Sequence, residues 1–353
     1  MTDKPGLTGA SPLSQGDVVA NRYRVLEELG RGGYAIVYKA LDTKTGDVIA
    51  LKTIRPIAPR PDEVRERFRR EAELVSKLKH PNTVRVFDYG FESDFYLAME
   101  FLEGYPLSDL LDGQNGISLQ RAVFIVTGVL ESLTEAHRLG IVHRDLKPEN
   151  VFLVQRTQGE TRMEHVKVLD FGIAKAVLDD SNMPALTLKG RAMGTPAYMS
   201  PEQAKGARLT VHSDLYSVAV LLYEMICGVP PFTGDSAMTI MLKHVNEPPP
   251  QLTPPRLRAS SLDLAIQKAL SKNPFDRFNS AEEFLAAVRS SSARLDQAAA
   301  PAPAPLPQPL PKGAPLPGTS LQDRPDSPAA TPDLQSQSGL KKENLFASWF
   351  KRR

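Results

Sequence analysis

His143-Arg144-Asp145-Leu146-Lys147-Pro148-Glu149-Asn150, followed further on by Asp170-Phe171-Gly172, is the stretch on which the reading of this 353-residue chain turns. Each polar motif adjoins a strand-like apolar run, Val151-Phe152-Leu153-Val154 after the first and Val166-Lys167-Val168-Leu169 before the second. Two carboxylates, an amide, a lysine and an arginine are thereby confined to two short loops. Asp170 and Asn150 offer hard oxygen ligands of the kind that suits magnesium bridging nucleotide phosphates. Asp145 is placed to accept the proton of an attacking hydroxyl, and Lys147, two residues on, to lie over a transferred phosphoryl group. Phosphoryl transfer depends on positioning and charge neutralisation more than on covalent chemistry, and these residue types supply both.

The two motifs resemble the catalytic and metal-binding loops of eukaryotic-like (Hanks-type) serine/threonine protein kinases. Lysine at 147 matches the serine/threonine-specific members. The resemblance covers residues 21–290, and Ser200-Pro201-Glu202-Gln203 together with the short inserts resembles the bacterial members. It implies an α+β bilobal protein-kinase fold, with a β-rich N-lobe carrying one regulatory helix and a mainly helical C-lobe. It also implies ATP and Mg2+ as cofactors, with Asn150 and Asp170 holding the metal, and protein substrates with Ser or Thr acceptors. A catalytically inactive kinase-fold scaffold is the alternative. Its usual mark is a lost lysine, aspartate or asparagine, and Lys52, Asp145, Asn150 and Asp170 are all present.

Upstream, residues 23–29 read as a strand, and residues 30–40 continue into a hairpin with a glycine-crowded turn at Gly30, Gly32 and Gly33. Glycine there permits positive φ and lets backbone N–H groups approach phosphate. Beside the downstream motifs this resembles the kinase phosphate-covering loop, with Val37 against the adenine; Ala35 stands where the family has its third glycine. Asp47-Val48-Ile49-Ala50-Leu51-Lys52 is a short strand ending in the lysine that the resemblance assigns to the α- and β-phosphates. Residues 61–79 carry apolar residues at helical spacing, and Arg69-Arg70-Glu71-Ala72 matches the regulatory helix. Glu71 is therefore the expected partner of Lys52, with Glu73 the competitor. Two strands follow at 83–91 and 95–101. By resemblance Leu29, Ala50, Met99 and Phe152 line the nucleotide pocket, and the backbone from Glu100 to Leu102 bonds the base.

Helical patterns at 107–111 and 119–139 open the large lobe, the second stopped by Gly140. His143 reads as a packing residue beneath Phe171. Arg144, beside Asp145, calls for a counter-charge, which phosphate on the activation segment provides in related kinases. In that segment Thr187 is the expected phosphosite, with Arg144, Lys175 and Lys189 as basic neighbours. Thr195 is expected to hydrogen-bond the catalytic loop near Asp145 and Lys147. Glu202 is expected to pair with Arg277, and Asp214 to cap a buried helix and hold the catalytic-loop backbone. Glu149 and Glu224 together suit a basic residue just before the phosphoacceptor. Further helices are expected at 236–246, 261–271 and 280–290.

A net charge of +2 gives no argument for a nucleic-acid partner. The single cysteine, Cys227, permits no internal disulfide and fits a reducing compartment, and the six histidines show no zinc-ligand spacing. No N-terminal signal is evident, and the longest apolar stretch, 215–229, is too short to span a bilayer and carries Glu224. A cytoplasmic protein is the expectation. The chain divides into a flexible N-terminal tail (1–20), the N-lobe (21–101), the C-lobe (102–295), a Pro/Ala/Ser-rich disordered linker (296–340) and a basic amphipathic segment (341–353). In that last segment Leu345, Phe346, Trp349 and Phe350 share a helical stripe between lysine and arginine clusters. Such a piece suits docking on a protein groove or contact with an anionic membrane. The oligomeric state is not indicated.

The glycine-rich turn yields a direct test. Gly32→Val should raise the Michaelis constant for ATP in steady-state assays, and an unchanged constant would show that this loop does not cover the phosphates.

Overall fold

Alternation of buried and exposed residues along Tyr23–Arg31 puts one side of that segment into a core and leaves the other in water. The structure is a computed structural model that describes residues 12–32, 35–54, 61–92, 94–158, 161–173 and 195–299. Its first sheet is antiparallel, with strands β1 (Val18–Val19), β2 (Tyr23–Arg31), β3 (Ala35–Asp42), β4 (Val48–Ile54), β5 (Val86–Phe91) and β6 (Phe95–Glu100) in the order β1-β2-β3-β4-β6-β5. Helix α1 (Pro61–Ser76) lays Val64, Phe68, Ala72 and Val75 onto this lobe, Phe68 meeting Phe95 at 4.5 Å between ring centroids.

Residues 12–20, expected within a flexible tail over 1–20, are packed on the lobe. β1 pairs with β2, Leu13 packs on the core beneath, and the Leu13 N–H donates to the Tyr38 hydroxyl at 3.1 Å. Arg22 then clamps Asp42 through two bonds of 2.8 and 2.7 Å. A two-residue strand has no periodicity to read, which is why sequence reasoning missed it.

The chain between α1 and β5 is stitched to the large lobe. Glu135 accepts the N–H groups of Lys79 and His80, Asn82 donates its side-chain amide to the Val166 carbonyl at 2.7 Å, and Val84 N–H donates to the Val168 carbonyl at 2.9 Å. Residues 83 and 84, expected to start a strand, therefore bond across the lobes, and β5 begins only at Val86.

A second sheet, β7 (Gly104–Pro106), β8 (Val151–Gln158) and β9 (Thr161–Val168), runs in the order β7-β8-β9 beneath the first. Its hairpin is longer than the four-residue runs visible in the sequence. At Gly104 a Cβ would stand 2.0 Å from the Leu153 carbonyl oxygen, so only glycine lets β7 come this close to β8.

The helical lobe consists of α2 (Leu107–Leu111), α3 (Leu119–Arg138), α4 (Pro201–Ala204), α5 (Val211–Cys227), α6 (Ala237–Asn246), α7 (Ser261–Ala269) and α8 (Ala281–Ala299). The last helix runs beyond both the expected helix end at 290 and the expected lobe end at 295. Helix α5, apolar on all sides and buried, is the lobe's axis; Thr210 and Ser213 form a capping box at its start, so Asp214 is not its cap. Gly228, at φ +78°, ends it in a left-handed cap.

The expected Glu202–Arg277 pair is present. Arg277 donates to both Glu202 oxygens at 2.8 and 2.9 Å, its side chain fully buried, and Ser213 adds a third bond at 2.6 Å. Burial pushes the Glu202 carboxyl upward, but the guanidinium and the hydroxyl outweigh it and leave the pKa below its usual value. Breaking a buried pair from one side leaves an uncompensated charge. Arg277→Met should therefore destabilise the fold by about 3–5 kcal/mol in chemical denaturation, and adding Glu202→Leu should recover part of that loss.

Candidate active site

The two polar motifs meet because the β8–β9 hairpin carries one at each foot. Val151 pairs with Val168, and Leu169 N–H donates to the Asn150 carbonyl at 2.8 Å, so Asn150 and Asp170 emerge side by side. His143 locks the two loops together from within. Fully buried, it donates from Nε2 to the Leu169 carbonyl at 2.7 Å, accepts the Asp145 N–H on Nδ1 at 3.3 Å, and packs against the tilted Phe171 ring at 4.7 Å between centroids. Burial pushes its pKa down, which agrees with a neutral ring that donates on one side and accepts on the other. The packing role expected for His143 is therefore what the geometry displays.

Asp214 holds the loop from the other side, as expected, through the N–H groups of His143 (2.8 Å) and Arg144 (2.9 Å). Arg144 at φ +65° and Asp170 at φ +56° occupy the left-handed region that non-glycine residues seldom adopt, and Gly172 follows at φ +43°. Such conformations persist only where surrounding bonds dictate them, and they gather at functional sites.

Around Asp145 the geometry is tight. The Asn150 amide donates to the Asp145 backbone carbonyl at 2.7 Å and to its carboxylate at 3.3 Å, and the Lys147 ammonium lies 3.4 Å from the same carboxylate oxygen. From the other lobe, β4 delivers Lys52 to within 2.6 Å of Asp170. Five side chains from three separate stretches, Lys52, Asp145, Lys147, Asn150 and Asp170, thus converge, with carboxylate and amide oxygens of the type magnesium takes and two lysines of the type phosphate takes.

One expectation is corrected. Lys52 pairs with Asp170, and among the described residues Glu71 makes no ion pair, while Glu73 pairs with Lys77 at 3.0 Å on its own helix. The side chain of Lys52 is 5% exposed and needs a counter-charge. Helix α1 turns Phe68, Ala72 and Val75 inward and leaves Glu71 half-buried, and Asp170 is the carboxylate that meets Lys52.

Behind these polar groups lies a buried apolar cluster between the sheets. Leu29, Val37, Ala50, Leu102 and Phe152 form one buried cluster, with Met99 packed on it, bringing six expected pocket residues together. Val84, Val154 and Leu169 complete it and were missed. Val154 was findable, since it follows Phe152 by two in a strand and so shares its face. At the rim Glu100 accepts from the buried Lys167 ammonium at 2.6 Å and from Arg85 N–H at 2.8 Å, while its own N–H donates to the Arg85 carbonyl. Lys167 read as an ordinary lysine in a strand, and nothing in its neighbours announced a partner so distant in sequence.

Gly30 pairs with Val37, and Gly32 N–H closes the hairpin on the Ala35 carbonyl at 2.7 Å; Gly33 lies outside the described residues. Thr195 lines a small cavity with Arg144, Asp145, Lys147 and Gln203, but its side chain makes no hydrogen bond among the described residues. Thr187, Lys175, Lys189 and the C-terminal segment 341–353 lie outside them as well. Tyr198 donates its hydroxyl to Glu224 at 2.8 Å. Burial, opposed by that bond and reinforced by the Glu149 charge, pushes the Glu224 carboxyl up to about 7.

The protein kinase domain family model matches residues 23–288. Among characterised proteins, the chain is 42% identical over 291 residues to the serine/threonine-protein kinase pkn3 of Myxococcus xanthus, an overlap of 80% of this chain and 53% of that protein. It is 36% identical over 278 residues to the serine/threonine-protein kinase PknB of Mycobacterium tuberculosis, covering 76% and 42%. The chain thus spans about half, or less, of the length of these relatives. Among solved structures, the Mycobacterium tuberculosis PknI kinase domain superposes with a TM-score of 0.62 at 27% identity, over 80% of this chain and all of that one. The bilobal fold, the two converging loops and these similarities agree that the chain belongs to the protein kinase domain family, among the Hanks-type serine/threonine kinases of bacteria.

Proposed function

We propose that the chain is a serine/threonine protein kinase that transfers the γ-phosphate of MgATP to protein hydroxyls. The observation that carries this reading is the convergence of Lys52, Asp145, Asn150 and Asp170 beside the apolar cluster that ends in Leu169. That same convergence speaks against the inactive-scaffold alternative.

Each role follows from chemistry and placement. MgATP, when bound, brings the transferable phosphoryl group and the metal charge that neutralises it. Leu29, Val37, Ala50, Met99, Leu102 and Phe152 would enclose the base, and the backbone from Glu100 to Leu102 would bond its edge. Asp170 and Asn150 would hold the metal, and Lys52 the α- and β-phosphates. Asp145 takes the proton of the substrate hydroxyl. Lys147, 3.4 Å from that carboxylate, balances its charge and reaches the phosphoryl being moved. Arg144 and Thr187 form the regulatory pair, a phosphate on the activation segment meeting the arginine beside the base. Thr195 belongs to the platform on which the substrate peptide rests. Placement in the cytoplasm is supported by the lone cysteine; among the described residues no helix is long and apolar enough to cross a membrane. The C-terminal segment is proposed to dock on a protein groove or an anionic membrane.

Glu149 and Glu224 are proposed to read a basic residue just before the acceptor. Since the Glu224 carboxyl sits at about 7, it is half charged at neutrality, more charged above and less below.

Incubation of the full chain with labelled ATP and magnesium should give phosphate on Ser or Thr, and Asp145→Asn should lower kcat by about 10²–10⁴-fold. Phosphopeptide mapping should find Thr187; stoichiometric phosphate elsewhere and none there removes that site. For specificity, kcat/KM for a peptide with arginine before the acceptor, relative to its alanine twin, should rise between pH 6 and 8 as Glu224 ionises. Glu224→Gln should abolish that rise.

A further inference from the structure

The backbone that presents Asp145 is gripped at several points, and one grip comes from outside the catalytic loop and its recognised anchor. Arg144, at φ +65°, has its N–H on Asp214. Its carbonyl, which belongs to the peptide unit joining it to Asp145, accepts a hydrogen bond from the side-chain amide of Gln203 at 3.0 Å. The N–H of that same unit rests on His143 Nδ1, and the next carbonyl, that of Asp145, rests on Asn150. Gln203 is thus one of three bonds that fix the backbone on either side of Asp145.

Gln203 is itself rigidly placed. It lies in α4, the short helix that ends the substrate platform, where its N–H donates to the Ser200 hydroxyl at 3.2 Å. The preceding residue, Glu202, is held by the buried Arg277 and by Ser213. Ser213 adjoins Asp214 at the start of α5, and Asp214 in turn holds Arg144. The polar bonds therefore close a ring: α5 holds both the platform helix and the catalytic loop, and Gln203 bridges those two directly. A half-buried glutamine amide would be satisfied equally well by water, so packing does not require this bond.

We propose that Gln203 is a positioning residue for phosphoryl transfer, donating to the Arg144 carbonyl so that Asp145 stays in register with the platform that carries the substrate hydroxyl. This rests on the assignment of Asp145 as the base. Gln203 lines the cavity beside Asp145 and Lys147 and is no part of the apolar cluster, so its loss acts on the chemical step and leaves nucleotide binding alone. Leucine removes the amide at similar size, and glutamate keeps the shape but sets an acceptor against the carbonyl.

Steady-state kinetics on the full chain with a peptide substrate would read this. Gln203→Leu and Gln203→Glu should each lower kcat by about ten- to a hundredfold while the KM for ATP stays within about twofold and the unfolding midpoint is kept. Unchanged kcat in either variant overturns the proposal. So does a rise in the ATP KM without a fall in kcat, or collapse of the unfolding midpoint in both, which would make Gln203 a structural residue. Asp145→Asn measured alongside separates the two levels. If it is inactive while the Gln203 variants are fully active, only the positioning role falls; if it keeps the parent kcat, the assignment of the base falls and the positioning role with it.

Discussion

Asp214 sits 1% exposed at the start of α5 and accepts hydrogen bonds from the backbone N–H groups of His143 and Arg144 and from the His137 ring at 2.9 Å. Burial pushes this carboxyl upward, but the His137 ring and the backbone donors outweigh it and leave the pKa below its usual value. The carboxylate therefore stays charged, and a charged acceptor makes strong bonds. Hydrogen bonds to charged groups contribute about 1.5–3 kcal/mol each, whereas holding a non-glycine residue in the left-handed region costs about 1–3 kcal/mol. Two such bonds exceed the cost of Arg144 at φ +65°, so the loop keeps a shape that its own residues would not choose. Without that turn, Asp145, Lys147 and Asn150 would not face the same space.

The second constraint is that the two lobes share one wall. Residues 79–84 leave the small lobe and bond to Glu135 and β9 of the large one, while Lys167 of β9 reaches back to Glu100 at the end of β6 in the first sheet. Both connections flank the apolar cluster, to which the first sheet contributes Leu29, Val37 and Ala50 and the second sheet and its end Phe152, Val154 and Leu169. Asp170 follows directly on Leu169. The apolar cluster and the charged pair are thus set at a fixed distance by the same strand, and the 2.6 Å contact of Lys52 with Asp170 closes the arrangement across the lobes.

Much of this was legible because its signals are contiguous. His143 to Asn150 and Asp170 to Gly172 each state a chemistry within a few residues, and glycine turns and helical spacing marked most elements to within a few positions. What escaped was non-local or too short to have a period. β1 is two residues long. Lys167 and Gln203 each look like ordinary polar residues of their elements until their partners arrive from 67 and 59 positions away. The error over Glu71 has the same origin. A helix pattern tells which face is apolar but not how the helix is rotated against its neighbour, and a rotation of a few tens of degrees decides whether a rim carboxylate reaches a lysine.

By itself, then, the sequence determined the family, the order of the elements and the identity of the groups that carry charge and protons, because these depend on residue type at short spacing. Tertiary structure alone decided which opposite charge meets Lys52, which carboxylate takes the Lys167 ammonium and which side chains bridge loop to platform. Those outcomes depend on desolvation. A buried charge pairs with whatever group the packing of distant elements brings within about 3 Å, and no local pattern encodes that distance.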